Sequence, residues 1–176
     1  IGQAIVSRAH AFGAKVIAYD PYLAVEKAVK LDVELVSKDD LLARSDYILM
    51  QAPMTPETHH FLSDAEFSAM KPGAILVNTG RGPTIDNKAL YQALTKGHLA
   101  AAGLDDPEEE PAKRSNWSPK DNPIFTLPNV LVTPHAAYYS EESIHAARVT
   151  AATQVAKVLT GQEPDYTVNA KALAKT

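Results

Sequence analysis

The sequence has 176 residues, of which 45% are hydrophobic and 22% are charged, and it contains no cysteine. This length is enough for one domain with a hydrophobic core, and the lack of cysteine excludes a disulfide framework and a thiolate metal site. The net charge of −4 argues against nucleic acid as a direct partner, because phosphate-binding surfaces usually carry a basic excess. With no apolar run near the roughly 20 residues of a membrane span, we expect a cytoplasmic protein without membrane contact.

The first residues predict a helix followed by a strand. In residues 1–12 the apolar side chains recur at the spacing of one helix face, and Gly13 ends the pattern. Residues 15–19 predict a strand that Asp20 terminates. Helix, strand and acidic residue in this order are typical of the second half of a dinucleotide-binding βαβ unit, in which Gly2 would be the last glycine of a G-x-G-x-x-G motif.

The spacing of Gly2 and Asp20 favours NAD over NADP. Asp20 lies 18 residues after Gly2, close to the distance at which a carboxylate binds the adenosine ribose and repels a 2′-phosphate. The first strand and the start of the glycine motif are missing from the sequence, so we expect an amino-terminally truncated domain. A lone glycine and aspartate at this spacing also occur in α/β domains that bind no nucleotide, and these two residues leave both interpretations open.

The following segments alternate between strand and helix. A Ser63–Glu66 pair is typical of a capping box, and Asp86 is expected to cap a later helix. We expect an exposed loop at residues 106–123, further helices at 38–44, 64–70, 87–96 and 140–160, and strands at 33–36, 47–50 (buried), 74–77, 99–104 and 130–132. This alternation predicts an α/β fold with a Rossmann-type doubly wound parallel sheet. Residues 1–161 would form the domain, and residues 162–176 a tail that returns toward a substrate domain.

Three polar side chains follow three of these predicted strands. Arg81 stands in the turn that follows residues 74–77, Glu110 follows residues 99–104, and His135 comes shortly after residues 130–132. The carboxyl ends of parallel strands meet at one edge of the sheet, where ligands bind in open α/β folds. We therefore expect Arg81, Glu110 and His135 to converge.

The chemistry of these three side chains suits a 2-keto acid. Arginine offers a planar fork of donors that holds a carboxylate through two bonds, and histidine exchanges protons near neutral pH. A neighbouring glutamate would favour the protonated imidazole and orient it. Each residue also has a simpler interpretation: Arg81 as an exposed loop residue, Glu110 as part of a solvated acidic run, and His135 as the cap of a turn.

Several linked motifs resemble the NAD-binding domain of the D-isomer-specific 2-hydroxyacid dehydrogenases. These are Val77-Asn78-Thr79-Gly80-Arg81-Gly82, Leu104-Asp105 with Glu108-Glu109-Glu110-Pro111, Leu127-Pro128-Asn129-Val130, and Thr133-Pro134-His135-Ala136-Ala137. The resemblance implies that Arg81, Glu110 and His135 are catalytic. It further implies an NAD site in which Asp20 holds the adenosine ribose and Asp105 the nicotinamide carboxamide, with contacts from Ile1, Gly2, Ala52, Pro53, Thr58, Thr79, Gly80, Arg81, His135, Ala136 and Ala137.

The loop after Asp105 and the turn at residues 135–140 resemble the C-terminal-binding protein-like branch of this family. That branch implies a homodimer formed through the NAD domain, and it adds an alternative function as a non-enzymatic, NAD-responsive corepressor-like protein. The main expectation is an NAD-dependent oxidoreductase that acts on a 2-hydroxy or 2-keto acid when full length, the fragment alone being inactive. Asp106 and Pro107 depart from the apolar residues that family members usually carry there.

His59 and His60 are the remaining pair that could suggest a metal site. Neighbouring side chains normally diverge, and no second pair of ligands stands at a useful spacing. We therefore expect a turn here and no metal.

Overall fold

The computed structural model describes residues 1–108, 115, 116 and 118–170. The chain divides into two compact units, one formed by Ile1–His135 and a second that begins at Ala136. Both sheets and all six described strands belong to the first unit. No helix in the described part of the chain is long and apolar enough to cross a membrane.

The chain begins with a small parallel two-stranded sheet and its helices. Helix α1 (Gly2–Ala11) leads to strand β1 (Ile17–Ala18), and helix α2 (Val25–Lys30) leads to strand β2 (Glu34–Leu35). Strands β1 and β2 pair in parallel. The predicted helix and the two predicted strands are confirmed, although both strands are shorter than expected.

The seven helices and strands between β2 and the last helix include the four strands of a second sheet. They are α3 (Lys38–Arg44), β3 (Tyr47–Met50), α4 (Asp64–Ala69), β4 (Ala74–Asn78), α5 (Asn87–Thr95), β5 (Leu99–Leu104) and β6 (Val130–Val132). The strands are arranged in the order β3-β4-β5-β6, and every neighbouring pair is parallel. The α/β prediction with a parallel sheet is confirmed.

The hydrophobic core lies around this four-stranded sheet. Leu76 on β4, Leu90 on α5 and Ile124 are fully buried. Helix α5 buries Ala89, Leu90, Ala93 and Leu94, which lie on one face, and Asp86 caps its first turn by accepting bonds from the backbone of Lys88 and Ala89. The core therefore holds β4 and β5 firmly, and their carboxyl ends carry the predicted site.

Two predictions about exposure are wrong in part. Within the predicted loop at residues 106–123, Asp106, Pro107 and Asn122 are buried, and short 3-10 helices form at Pro119–Asp121 and Pro123–Thr126. The buried residues pack against the sheet edge, which the polar composition of the loop did not indicate. Strand β3 alternates in burial, with Tyr47 66% and Leu49 45% exposed.

The second unit contains the predicted long helix, α6 (Glu141–Leu159), and the structure adds that Ser140 caps it. The chain after it folds back, because Asp165 accepts hydrogen bonds from Lys157 at 2.6 Å and from Gln154 at 3.0 Å. These contacts, Lys157 first, lower the pKa of Asp165. The boundary expected at residue 161 stays a prediction.

Glu66 at the start of α4 links the pH dependence of stability to helix capping. Its side chain is 16% exposed, and one carboxylate oxygen lies 2.6 Å from Lys38 Nζ. Burial alone would raise the pKa of Glu66, but the Lys38 ammonium and the backbone and hydroxyl of Ser63 lower it to about 2. The carboxylate is thus stabilised in the folded state.

We expect the domain to lose stability as the pH falls from 4.5, the ordinary pKa of glutamate, toward about 2. The pKa of Glu66 is lower in the folded state than in the unfolded state. Its contribution to stability is therefore complete above pH 4.5 and is lost as the pH falls toward about 2. Glu66→Gln should reduce the free energy of unfolding at pH 7 by roughly 2 kcal/mol and flatten the pH dependence in this window.

Urea unfolding at several pH values measures this effect. Glu34→Gln is the matched control, since the Glu34–Arg44 pair is exposed and exposed pairs contribute little. If the free energy of unfolding of Glu66→Gln fell with decreasing pH as steeply as that of the wild type, Glu66 would not be the source of this pH dependence.

Candidate active site

The Arg81 turn is shaped by Asn78, the last residue of β4. Asn78 is 2% exposed, its amide oxygen accepts a bond from the Gly80 backbone at 2.9 Å, and its amide nitrogen donates to the Arg81 carbonyl at 3.1 Å. The Arg81 carbonyl also accepts a bond from the Thr84 hydroxyl at 2.6 Å. The backbone of the turn is therefore fixed while its arginine is carried beyond the strand.

Two glycines let this turn pack against its neighbours on both sides. A Cβ atom on Gly80 would lie 3.3 Å from the Met50 carbonyl oxygen, at the end of β3. One on Gly82 would lie 2.4 Å from the Glu108 nitrogen and 2.5 Å from the Asp106 oxygen, in the segment that follows β5. The turn thus bridges the ends of the strands on either side of β4.

The side chain of Arg81 is exposed, and Nη1 donates a hydrogen bond to the Gly80 carbonyl at 3.0 Å. A guanidinium has five N–H donors, so this local bond leaves others for a ligand. It can bind a carboxylate through two parallel bonds.

His135 is joined to the end of β5 by backbone and side-chain contacts. Its backbone N–H donates to the carbonyls of Asp105 and Thr133, both at 2.9 Å. The Thr133 hydroxyl donates a short hydrogen bond to the Asp105 carboxylate. Strands β5 and β6 therefore hold Asp105, which is 4% exposed, and His135 in a common framework.

The imidazole of His135 lies beside a second buried aspartate. Nδ1 of His135 is 3.9 Å from Oδ1 of Asp106, whose side chain is 5% exposed, against 34% for His135. His135 has a φ of 51°, a left-handed conformation that is uncommon outside glycine and occurs often at functional sites. The structure thus places Asp106 between the Arg81 turn and His135.

Glu108 ties this segment to α5 and to His60. Its carboxylate lies 2.8 Å from Nε2 of His60, and its carbonyl accepts a bond from the Asn87 side chain at 3.0 Å. Asp86 Oδ2 lies 3.7 Å from the other ring nitrogen of His60. This cluster holds residues 106–108 close to the Arg81 turn.

The prediction that the side chains of His59 and His60 diverge is wrong. His60 has a φ of 47°, and the two rings stack with centroids 4.0 Å apart at 26°. Together with Glu108 they bring possible metal ligands within 4.8 Å of one another. The expectation of no metal stays a prediction.

The residues expected to bind the adenosine half of NAD lie at the start of the chain. Ile1 is the N-cap of α1 without a side-chain cap bond, and a Cβ on Gly2 would meet nothing within 4 Å. Asp20 is exposed after β1, with one oxygen accepting a bond from the Tyr22 backbone at 2.9 Å. The exposed carboxylate of Asp20 fits ribose hydroxyls, and a helix N-terminus such as that of α1 can bind a pyrophosphate.

Hydrogen bonds also shape the segment after β3. The Thr58 hydroxyl donates to the Pro53 carbonyl at 2.6 Å, and Gln51 donates to the Thr79 hydroxyl at 2.6 Å. Ala52 is half-buried and its carbonyl oxygen would lie 3.4 Å from a Cβ on Gly80. The segment expected to line the cofactor is thus connected to the Arg81 turn.

Three of the predicted site residues do not belong to the described part of the first unit. Glu110 lies outside the described residues. Ala136 and Ala137 belong to the second unit, in which the Ala136 carbonyl accepts a bond from the Tyr139 backbone at 2.9 Å.

Asn78, Asp106 and Glu108 position the site but were not predicted as site residues. Asn78 carried a usable signal, since a polar residue that ends an apolar strand next to two glycines needs partners for its amide. Asp106 and Glu108 lie in a segment whose polar composition indicates solvent exposure, so only the structure shows their roles.

The parallel sheet and the polar residues at its carboxyl edge define an α/β nucleotide-binding domain of the dehydrogenase kind. Residues 1–137 match the model of the D-isomer specific 2-hydroxyacid dehydrogenase NAD binding domain, and the chain belongs to this family. NAD is therefore the cofactor of the class of domain to which the chain belongs.

Known relatives are similar over nearly the whole chain. D-3-phosphoglycerate dehydrogenase of Methanocaldococcus jannaschii is 46% identical over 170 residues, which are 96% of this chain and 31% of that protein. Glyoxylate reductase of Korarchaeum cryptofilum is 38% identical over 169 residues, 96% of this chain and 49% of that protein.

The fold is also similar to a solved structure of a D-lactate dehydrogenase. The Aquifex aeolicus enzyme, complexed with NAD and lactic acid, superposes with a TM-score of 0.83 at 34% identity, covering 92% of this chain and 51% of that chain. The chain thus spans between a third and about half of the length of these relatives.

Proposed function

We propose that the protein containing this chain is an NAD-dependent oxidoreductase that interconverts a 2-keto acid and its D-2-hydroxy acid. The observation that carries the proposal is the arrangement at the sheet edge, where the exposed Arg81 and the half-buried His135 lie on either side of the segment 105–108. A carboxylate-binding cation and a proton-exchanging ring are the two groups that this reaction needs from the protein.

Arg81 would bind the substrate carboxylate and polarise the neighbouring carbonyl through its planar donors. His135 would donate a proton to the carbonyl oxygen during reduction and remove it during oxidation. When bound, NADH supplies the hydride for the carbonyl carbon. Glu110, predicted from the family resemblance as the carboxylate partner of His135, keeps this proposed role.

The cofactor would extend from the start of α1 and Asp20 to Asp105. The buried Asp105 is a fixed acceptor between β5 and β6, which suits a carboxamide donor. Asp20 favours NAD over NADP because its carboxylate would repel a 2′-phosphate. Residues 162–176 would return toward the substrate domain of the full-length protein.

The corepressor-like alternative, together with the C-terminal-binding protein-like branch, rests on the sequences of the loop after Asp105 and of the turn at residues 135–140. The homodimer, the cytoplasmic location and the absence of direct nucleic-acid binding also stay predictions. The relatives named above are dehydrogenases and reductases, which favours the enzyme.

Turnover of the full-length protein tests the proposal. We expect it to oxidise NADH in the presence of glyoxylate, pyruvate or phosphohydroxypyruvate, and to accept D- but not L-2-hydroxy acids in the reverse direction. The preference for NADH over NADPH should exceed tenfold and fall in Asp20→Ala. A full-length protein that binds NADH and reduces no 2-keto acid would support the alternative.

A further inference from the structure

The buried carboxylate of Asp106 is the feature that carries a further role. Asp106 is 4% exposed, and its Oδ1 lies 3.9 Å from Nδ1 of His135. A carboxylate that has lost most of its water is stabilised by a nearby cation, and a buried aspartate without one is costly. The imidazole of His135 is a polar partner at a suitable distance.

The same short stretch of chain holds His135 in two ways. The Asp105 carbonyl accepts the His135 backbone N–H at 2.9 Å, and the next residue, Asp106, faces the imidazole of His135. The backbone bond stabilises the left-handed conformation of His135, whose φ is 51°. The backbone from which the His135 ring extends is therefore fixed, and Asp106 faces Nδ1 of the ring.

We propose that Asp106 is a positioning residue for His135. Its carboxylate orients the ring from the Nδ1 side, in addition to the role proposed for Glu110, so that Nε2 is the nitrogen that exchanges the proton with the substrate oxygen. This inference rests on the proposed function. In reduction, the Nε2–H bond breaks, its electron pair stays on the ring, and an O–H bond forms on the substrate oxygen as the carbonyl carbon takes up hydride.

The position of Asp106 also suits the direction of proton transfer. Its carboxylate lies on the Nδ1 side of the ring, away from the nitrogen that is proposed to donate the proton. At 3.9 Å the contact is a charge contact and not yet a hydrogen bond. Contacts of this kind commonly shorten when the substrate complex forms.

Three substitutions in the full-length protein separate positioning from packing. Asp106→Asn keeps the shape and removes the charge, Asp106→Leu removes the polarity, and Asp106→Glu restores the charge on a longer arm. We expect kcat to fall about 10- to 100-fold in the first two, with KM and the NADH Kd within about twofold, and to recover in part in Asp106→Glu.

Stability distinguishes the two roles. Because Asp106→Asn keeps the size of the side chain, its Tm should stay close to that of the wild type while kcat falls, and the exposed Asp39→Asn serves as the unchanged control. Unchanged kcat in Asp106→Asn, or a loss that only follows the fraction of unfolded protein, would overturn the inference.

A spectroscopic measurement decides the matter independently of turnover. Long-range ¹H–¹⁵N correlation spectra of the full-length protein report the state of each His135 ring nitrogen. We expect the Nδ1 shift to change in Asp106→Asn and to stay constant in Asp39→Asn. An unchanged Nδ1 shift would overturn the contact, whereas an inactive wild type with a changed shift would refute the proposed enzyme and leave the contact in place.

Discussion

Replacing Arg81 by alanine is expected to abolish nearly all turnover of the full-length protein while leaving NADH binding intact. The guanidinium is exposed, and its local bond to Gly80 holds the side chain without burying it. If it binds the substrate carboxylate through two charge-assisted bonds and polarises the carbonyl, its loss should lower kcat/KM by about 10³-fold or more.

Arg81→Lys sharpens this prediction. A lysine keeps the charge but lacks the planar fork, so we expect a loss of about 10²-fold. Steady-state kinetics and NADH fluorescence titration measure the two effects separately, and the exposed Lys88→Ala is the control for general charge effects. A lysine variant with wild-type activity would show that Arg81 acts only through its charge.

Replacing Gly82 by alanine should damage both folding and catalysis. The new Cβ would lie 2.4 Å from the Glu108 nitrogen and 2.5 Å from the Asp106 oxygen and the Pro107 carbonyl carbon. All three are backbone atoms, which cannot move aside as a flexible side chain can. We expect the free energy of unfolding to fall by about 2–3 kcal/mol.

The catalytic loss should exceed what the loss of folded protein explains. Displacing residues 106–108 from the Arg81 turn would move Asp106, which faces His135, and small displacements of reacting groups cost about 10²-fold in rate. Gly103→Ala is the matched control, since its Cβ would meet Val77 at an ordinary 3.8 Å. Wild-type activity and stability in Gly82→Ala would show that the two segments are not coupled.

Local patterns in the sequence were enough to predict the elements of the fold. All helices and strands except α2 (Val25–Lys30) were predicted, because apolar periodicity and capping residues such as Ser63 and Asp86 act over a few residues. The parallel order of the strands followed from their alternation with helices.

The contacts within the site were beyond sequence reasoning, because they join residues that are far apart along the chain. Composition indicated an exposed loop after β5, yet Asp106 is buried there beside a histidine from the end of β6. The stacking of His59 and His60 accompanies a left-handed backbone conformation at His60. The backbone N–H of His60 donates a hydrogen bond to the Pro83 carbonyl at 2.8 Å. No local pattern predicts a conformation that a distant segment stabilises.

The presence of two separate sheets has a consequence for local unfolding. Leu42, Ile124 and the other residues of the main core cluster surround the four-stranded sheet, whereas α1 has no buried residue and β1 is only half-buried. The free energy of local opening rises with buried apolar contacts. Amide protons near Asp20 should therefore exchange with solvent sooner than those of β4 and β5. The segment proposed to bind the adenosine ribose would then open more readily than the strands proposed to position the nicotinamide.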